Sequence, residues 1–196
     1  VAATWRLTTP LTEAEVRQLR AGDLVFLDGR VIGVRDATLI RIFDHGIEPP
    51  VDLTGAAILH TAPNVRREGD RYIPLSVGTT TSARMDRFTR GLLERYGVRA
   101  IIGKGGLYLP ESLEALRTFG GCYLAIVGGA AAWQTLHTEA IEAVYWEDLM
   151  PEALWVFRVR DLGPLFVAID SRGESLYAEV GAEARARLGQ ILADPG

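Results

Sequence analysis

Several residues of this chain could handle an anion, and they meet in Gly78-Thr79-Thr80-Thr81-Ser82-Ala83-Arg84-Met85-Asp86. The spacing predicts a tight turn opening a helix. Free backbone N–H groups would point forward there, with hydroxyls beside them. A helix start is electropositive and suits anions. Arg84 adds a guanidinium that grips a carboxylate or phosphate at two points. Thr80 and Thr81 put hydroxyls in the same place. The same residues also suit an ordinary capped helix with one arginine in solvent, so the stretch needs partners to count as a site.

Two further cations are placed like Arg84, each just after an expected strand. Arg35 heads a helix, where a cation opposes the helix dipole unless a carboxylate or a bound anion compensates. Asp36 is such a carboxylate, and surface pairs of that kind are common and weak. Lys104 stands in Gly103-Lys104-Gly105-Gly106. Small neighbours let a ligand reach the backbone and leave the ammonium uncovered, or simply make a turn. It is not a nucleotide-type phosphate loop: Gly97 lies one residue too far upstream, and Gly105 stands where a serine or threonine should bind magnesium. In α/β sheets, ligands gather beyond strand ends, where such residues converge.

The elements that must position these residues alternate through the middle of the chain. Strands are expected at 5–9, 56–60, 71–77, 98–102 and 121–127, with a β-hairpin over 23–34 turning at Asp28-Gly29. Thr12 and Glu15 have the spacing of a capping box for a short helix. Leu39, Ile40 and Phe43 mark a helix that Asp36 would cap. Met85, Phe88, Leu92 and Tyr96 fall on one face of another, stopped by Gly97. Pro110 opens a helix to Phe119, and a further one begins at Ala130. Residues 63–70 read as a polar excursion. Strands follow at 143–146, 154–159 and 165–170, with a turn over 161–164, then an amphipathic helix over 181–192. This pattern predicts one α/β or layered α+β domain with a mixed sheet over residues 1–196.

Composition excludes several classes. The chain has 196 residues, 48% hydrophobic and 23% charged, enough for one well-cored domain. A net charge of −4 and the lack of a basic run beyond Arg66-Arg67 argue against nucleic-acid binding by bulk electrostatics. No apolar run approaches a membrane span and no signal-peptide layout is present, so a soluble, cytoplasmic protein is expected. The single Cys122 excludes an internal disulfide framework and a self-contained thiolate metal site, and its apolar surroundings predict a buried strand residue. His45, His60 and His137 lack metal-ligand spacing. His60 ends a strand, where it serves the structure or faces a pocket. Ser82 lacks a nucleophile-elbow sequence.

The run from Gly78 to Asp86 resembles the GPTTxxRM signature of the β subunit, or C-terminal domain, of class I fumarases and L-tartrate dehydratases. Val34-Arg35-Asp36-Ala37 is similar to that family's ARDAAH segment, Gly103-Lys104-Gly105 to its KG loop, and Gly120-Gly121 through Gly128-Gly129-Ala130-Ala131 to its GGxY…GGxAA stretch. Order and spacing agree from about Leu11 to Leu176. The chain departs at Thr79, which replaces the signature proline, at Leu39, which stands where ARDAAH has histidine, and at Val34, which replaces a small residue.

The resemblance implies a swivelling, layered β/β/α domain and a hydro-lyase subunit. It implies a partner α subunit that carries a four-iron four-sulfur (4Fe-4S) cluster, since a lone cysteine cannot hold one. It implies that Arg84, Arg35 and Thr81 bind the dicarboxylate, that Lys104 assists catalysis, and that Thr80 is the base. A threonine hydroxyl is a poor base unless a neighbouring cation lowers its pKa. Malate and fumarate are the expected pair, L-tartrate the alternative, in a homodimer of β chains or an α2β2 assembly. Two other readings stand beside it: a binding module that seats a small anion without chemistry, and a phosphotransfer carrier that would need His60 exposed.

Overall fold

The computed structural model describes residues 2–193. Strand β1 (Thr4–Thr8) leads to α1 (Glu13–Val16), whose N-terminus is closed by the Thr12–Glu15 capping box. Strand β2 (Leu24–Val34) feeds α2 (Asp36–Phe43), and β3 (Ala57–His60) follows. Strands β4 (Asn64–Glu68) and β5 (Arg71–Ser76) form a separate antiparallel pair. A 3-10 helix (Ser82–Phe88) runs into α3 (Thr89–Tyr96), which Gly97 ends with φ +66°. Then come β6 (Ala100–Gly103), α4 (Pro110–Phe119), β7 (Cys122–Ala125), α5 (Ala131–Leu136) and β8 (Thr138–Tyr145). A second 3-10 turn (Glu147–Leu149), β9 (Leu154–Ile169) and α6 (Leu176–Ala193) complete the described chain.

Strands β1, β2, β3, β6 and β7 are parallel neighbours in that order. The long β9 runs antiparallel to them. It pairs with β7, with β8 and also with β2, so the sheet closes on itself in a barrel-like ring. The result is a mixed α/β architecture, as expected; the closure was not anticipated. A strand of sixteen residues is long enough to pair with β2, β7 and β8 at once.

Alternation along the strands divides the core. Ala57, Leu59, Ala100, Ile102, Cys122 and Leu124 join one cluster with Trp155 and Phe157. Ile58, Ile101 and Tyr123 join the other, with Leu39, Met85, Phe88 and Leu92 from the helices. The helical face Met85–Phe88–Leu92 is buried as its spacing predicts.

Four expectations are corrected. The hairpin over 23–34 is one continuous strand, and the turn over 161–164 lies inside β9. These two misread turns are halves of one irregularity: the β2–β9 register shifts between Leu27 and Gly29, and the Asp161 amide donates to Asp28 Oδ1 at 2.7 Å. Gly29, at φ +100°, has no room for a side chain, since a Cβ there would lie 2.6 Å from Thr9 Oγ1. Residues 63–70 are polar and largely exposed as expected, but they contain a strand that was not, β4, turning at Gly69 (φ +59°) into β5. The last helix starts at Leu176 rather than 181.

Candidate active site

Three adjacent parallel strands deliver the site. Strand β2 ends at Val34, followed by Arg35. Strand β3 ends at His60, and β6 ends at Gly103, followed by Lys104. The Thr79–Ser82 segment lies across the ends of β3 and β6. Thr79 bridges Thr61, the Thr80 amide donates to the His60 carbonyl at 2.8 Å, Thr81 bridges Lys104 in parallel, and the Ser82 amide donates to the Lys104 carbonyl at 3.0 Å. Segments far apart in sequence are thus registered by backbone pairing, which is stiffer than side-chain contact.

This corrects the picture of a helix start with free amides. The Thr80 and Ser82 N–H groups are taken by the strands, the first turns are 3-10, and Thr81 at the N-cap makes no side-chain capping bond. The anion-handling groups are therefore side chains. Arg84 Nη2 donates to Thr80 Oγ1 at 2.9 Å and lies 3.7 Å from Asp36 Oδ2. Arg35 Nε lies 3.3 Å from the same Asp36 oxygen and 3.4 Å from Glu152 Oε1. Arg35, Arg84 and Thr80 therefore share one carboxylate neighbourhood. Asp36 does not cap α2; Glu152 does so from a distance, accepting from the Ala37 amide at 2.8 Å.

Lys104 makes no ion pair among the described residues, and its Cδ packs beside Gly128. Two cations (Arg35, Arg84) thus meet two carboxylates (Asp36, Glu152) and Lys104 adds a third cation at the neighbouring strand end, leaving a local positive excess on a chain of net charge −4. Arg84 is half exposed and Thr81 is exposed, so both are open to a ligand.

The lysine loop is anchored from below. A Cβ on Gly103 would fall 1.8 Å from Ser82 Oγ, so only glycine lets the serine pass beneath the strand end. Tyr123 Oη lies 3.1 Å from the Gly105 carbonyl, which Tyr177 also contacts. Asp86 Oδ2 accepts from the Tyr108 and Leu109 amides at 2.6 and 3.0 Å, holding the far end of the loop.

His60 is buried, with Nδ1 2.9 Å from Ser82 Oγ, and burial depresses its pKa to about 4. It is therefore neutral and enclosed, which removes the exposed histidine that a phosphotransfer carrier needs. Burial pushes the Cys122 thiol up to about 12, so it is an inert core residue, as the sequence predicted. Among the described residues no cluster of histidine, cysteine, aspartate and glutamate is able to hold a metal ion.

Sequence reasoning singled out Arg35, Thr80, Thr81, Arg84 and Lys104 as candidates, and the structure brings them to one end of the sheet. It missed Glu152, Ser82, Tyr123 and Asp86 as supporting groups. Asp86 directly follows the last letter of the GPTTxxRM signature, and the tyrosine of the GGxY stretch was visible as a motif letter. Glu152 left no signal, because its partner lies more than a hundred residues upstream.

Residues 2–180 match the family model described as fumarase C-terminus. The chain is 40% identical over 174 residues to the L(+)-tartrate dehydratase subunit beta of Escherichia coli K12, covering 88% of this chain and 86% of that one. It is 35% identical to the putative L(+)-tartrate dehydratase subunit beta of Methanocaldococcus jannaschii, over 93% of this chain and 95% of that one. It is 36% identical to a putative fumarate hydratase class I of Geobacillus stearothermophilus, where 94% of this chain matches 36% of the longer protein. With the family model and the near-full-length likeness in agreement, the chain belongs to the class I fumarate hydratase and L-tartrate dehydratase β-subunit family.

Proposed function

We propose that this chain is the β subunit of a hydro-lyase that adds and removes water at a four-carbon 2-hydroxydicarboxylate. The observation that carries the reading is the Arg35–Asp36–Arg84–Thr80 cluster beside Lys104, at the ends of three parallel strands. L-Tartrate is the substrate favoured by the near-full-length relatives named for that activity. Malate and fumarate, expected from the motifs, form the second reading, favoured by the class I fumarate hydratase likeness.

In this proposal Arg84 clamps a substrate carboxylate, supplemented by Arg35 and Lys104, and Thr81 donates a further hydrogen bond. Removing a proton from the carbon beside a carboxylate builds an aci-carboxylate dianion, which these cations stabilise as charge develops. Thr80 is the base in its deprotonated, alkoxide form, which becomes the hydroxyl on taking that proton. Its hydroxyl needs a cation to lower its pKa, and Arg84 already donates to Thr80 Oγ1.

This chain's donors do not fit an iron–sulfur cluster: its one thiol is buried in β7 and held protonated. The 4Fe-4S group that the family resemblance implies therefore belongs to a partner α subunit, in an α2β2 assembly or around a homodimer of β chains. Exposed Tyr108 and Val127 flank the site loops, and exposed Trp133 and Leu136 lie on α5, giving such a partner apolar surface to cover. The reading also carries the swivelling β/β/α arrangement and a single domain. No described helix is long and apolar enough to cross a membrane; a cytoplasmic location is part of the proposal.

The test is anaerobic reconstitution with the cluster-bearing α subunit of the same organism, following L-tartrate dehydration and malate–fumarate interconversion by ultraviolet absorbance. Turnover of either is expected from the complex and from neither chain alone. A complex that forms and turns over neither substrate overturns the hydro-lyase reading. Dicarboxylate binding by the isolated chain, with no activity in the complex, would establish the anion-binding module instead.

A further inference from the structure

A chain of buried polar groups runs beneath the lysine loop. His60 Nδ1 lies 2.9 Å from Ser82 Oγ, Ser82 Oγ lies 3.0 Å from Tyr123 Oη, and Tyr123 Oη lies 3.1 Å from the Gly105 carbonyl. All three side chains are essentially inaccessible: His60 is 1% exposed, Ser82 and Tyr123 0%. Tyr177 contacts the same carbonyl. His60 Nε2 is buried and has no hydrogen-bond partner.

The protons in this chain can be placed by counting. Tyr123 has one O–H, and so does Ser82. If Tyr123 donates to the Gly105 carbonyl, Ser82 donates to Tyr123 and His60 donates from Nδ1 to Ser82. Every short contact is then a hydrogen bond. In the opposite direction, Tyr123 donates to Ser82 and Ser82 to His60 Nδ1. Two oxygens, Tyr123 Oη and Gly105 O, would then face each other at 3.1 Å with no proton between them. A carbonyl with two lone pairs accepts from both tyrosines in the first arrangement only.

We propose that His60 is a positioning residue, fixed as the Nδ1–H tautomer, whose proton sets the direction of the Ser82–Tyr123–Gly105 chain and so holds the Lys104 loop against Thr80 and Arg84. Ser82 is the pivot. Its side chain belongs to this chain while its amide donates to the Lys104 carbonyl, so one residue fixes the loop at two points. His60 faces the helical side of the sheet, as Ile58 does two residues earlier, beneath the first turns that carry Asp36 and Ser82. Burial keeps the imidazole neutral, as a fixed tautomer requires. The effect on catalysis rests on the hydro-lyase reading; the tautomer does not.

The test has two arms. In the first, the full chain is labelled with nitrogen-15 at histidine, and a long-range proton–nitrogen spectrum reads which ring nitrogen of His60 carries the proton. The wild type should show Nδ1–H. Tyr123→Phe removes the acceptor on the far side of Ser82, so the serine hydroxyl turns to His60 and the Nε2–H form should appear. A wild-type chain in the Nε2–H form, or a Tyr123→Phe spectrum identical to wild type, overturns the proposal. The wild-type spectrum decides even if the variant fails to fold. In the second arm, Tyr123→Phe in the reconstituted complex should lower kcat about tenfold, with KM changed by less than about threefold, because a misplaced loop costs alignment more than capture. An unchanged kcat overturns the positioning role. If the wild-type complex itself has no turnover, the hydro-lyase reading fails and the tautomer result still stands.

Discussion

The two faces of β3, β6 and β7 bury different chemistry. Toward β9 the strands present Ala57, Leu59, Ala100, Ile102, Cys122 and Leu124, all apolar, packed with Trp155 and Phe157. Toward the helices they present Ile58 and Ile101, but also His60 and Tyr123, with Ser82 and Asp86 buried among them. The first face is held by volume, where any well-shaped hydrocarbon serves. The second is held by hydrogen-bond direction near the strand ends, where one wrong donor misplaces a loop. Stability and function therefore separate by strand parity, and substitutions on the two faces should fail in different ways.

The largest expected effect lies on the functional side. Arg84→Ala should reduce kcat/KM of the reconstituted complex by about a thousandfold, about 4 kcal/mol of transition-state stabilisation. Thermal unfolding should barely move, because Arg84 is half exposed and its approach to Asp36 is a long 3.7 Å. Arg84→Lys should recover little, since an ammonium lacks the fork that reaches carboxylate and Thr80 together. Kinetics within threefold of wild type would remove Arg84 from the site.

The opposite signature is expected on the apolar face. Leu124 is fully buried between β6 and β9. Leu124→Ala should cost about 2–5 kcal/mol of stability in denaturant unfolding, from lost burial and the cavity left behind. Turnover per folded complex should stay near wild type. A large loss of kcat with little loss of stability would show that the two faces are coupled, against the division drawn above.

That division was only half legible in the sequence. Local rules found what was local: the Thr12–Glu15 capping box, the Gly97 stop and the helix beginning at Pro110 all stand as read. The site cations were legible because each follows a strand within a short motif. The errors share one cause. Asp28-Gly29 and residues 161–164 carry turn chemistry, but each is spent on a bulge that only exists when β2 and β9 lie side by side. Their partners lie some 130 residues apart, and a local rule cannot see a tertiary irregularity. The amides of Thr80 and Ser82 were misjudged for the same reason. They looked free because their acceptors, at His60 and Lys104, belong to strands about twenty residues away on either side.

The smallest expected effect probes the polar face through pH. Burial depresses the His60 pKa to about 4, against 6.5 for an ordinary histidine, with only the Asp36 charge acting in the other direction. Between those values the unfolded chain binds a proton that the folded chain refuses, so stability is full above about pH 6.5 and falls as pH drops toward 4. At pH 5.5 the loss through this one group is about 1.4 kcal/mol. His60→Gln keeps an amide N–H for Ser82 and cannot titrate. Its denaturant midpoint should therefore decline less than that of the wild type between pH 8 and 5.5, by an amount matching that difference. The carboxylates do not confuse the comparison: those held below their ordinary values, such as Asp23 and Glu142, lose stability only at lower pH. Parallel curves for the two proteins would mean that the folded His60 takes up a proton as readily as the unfolded one. The enclosed, dry setting described for the polar face would then be wrong, and the two faces would differ less than drawn above.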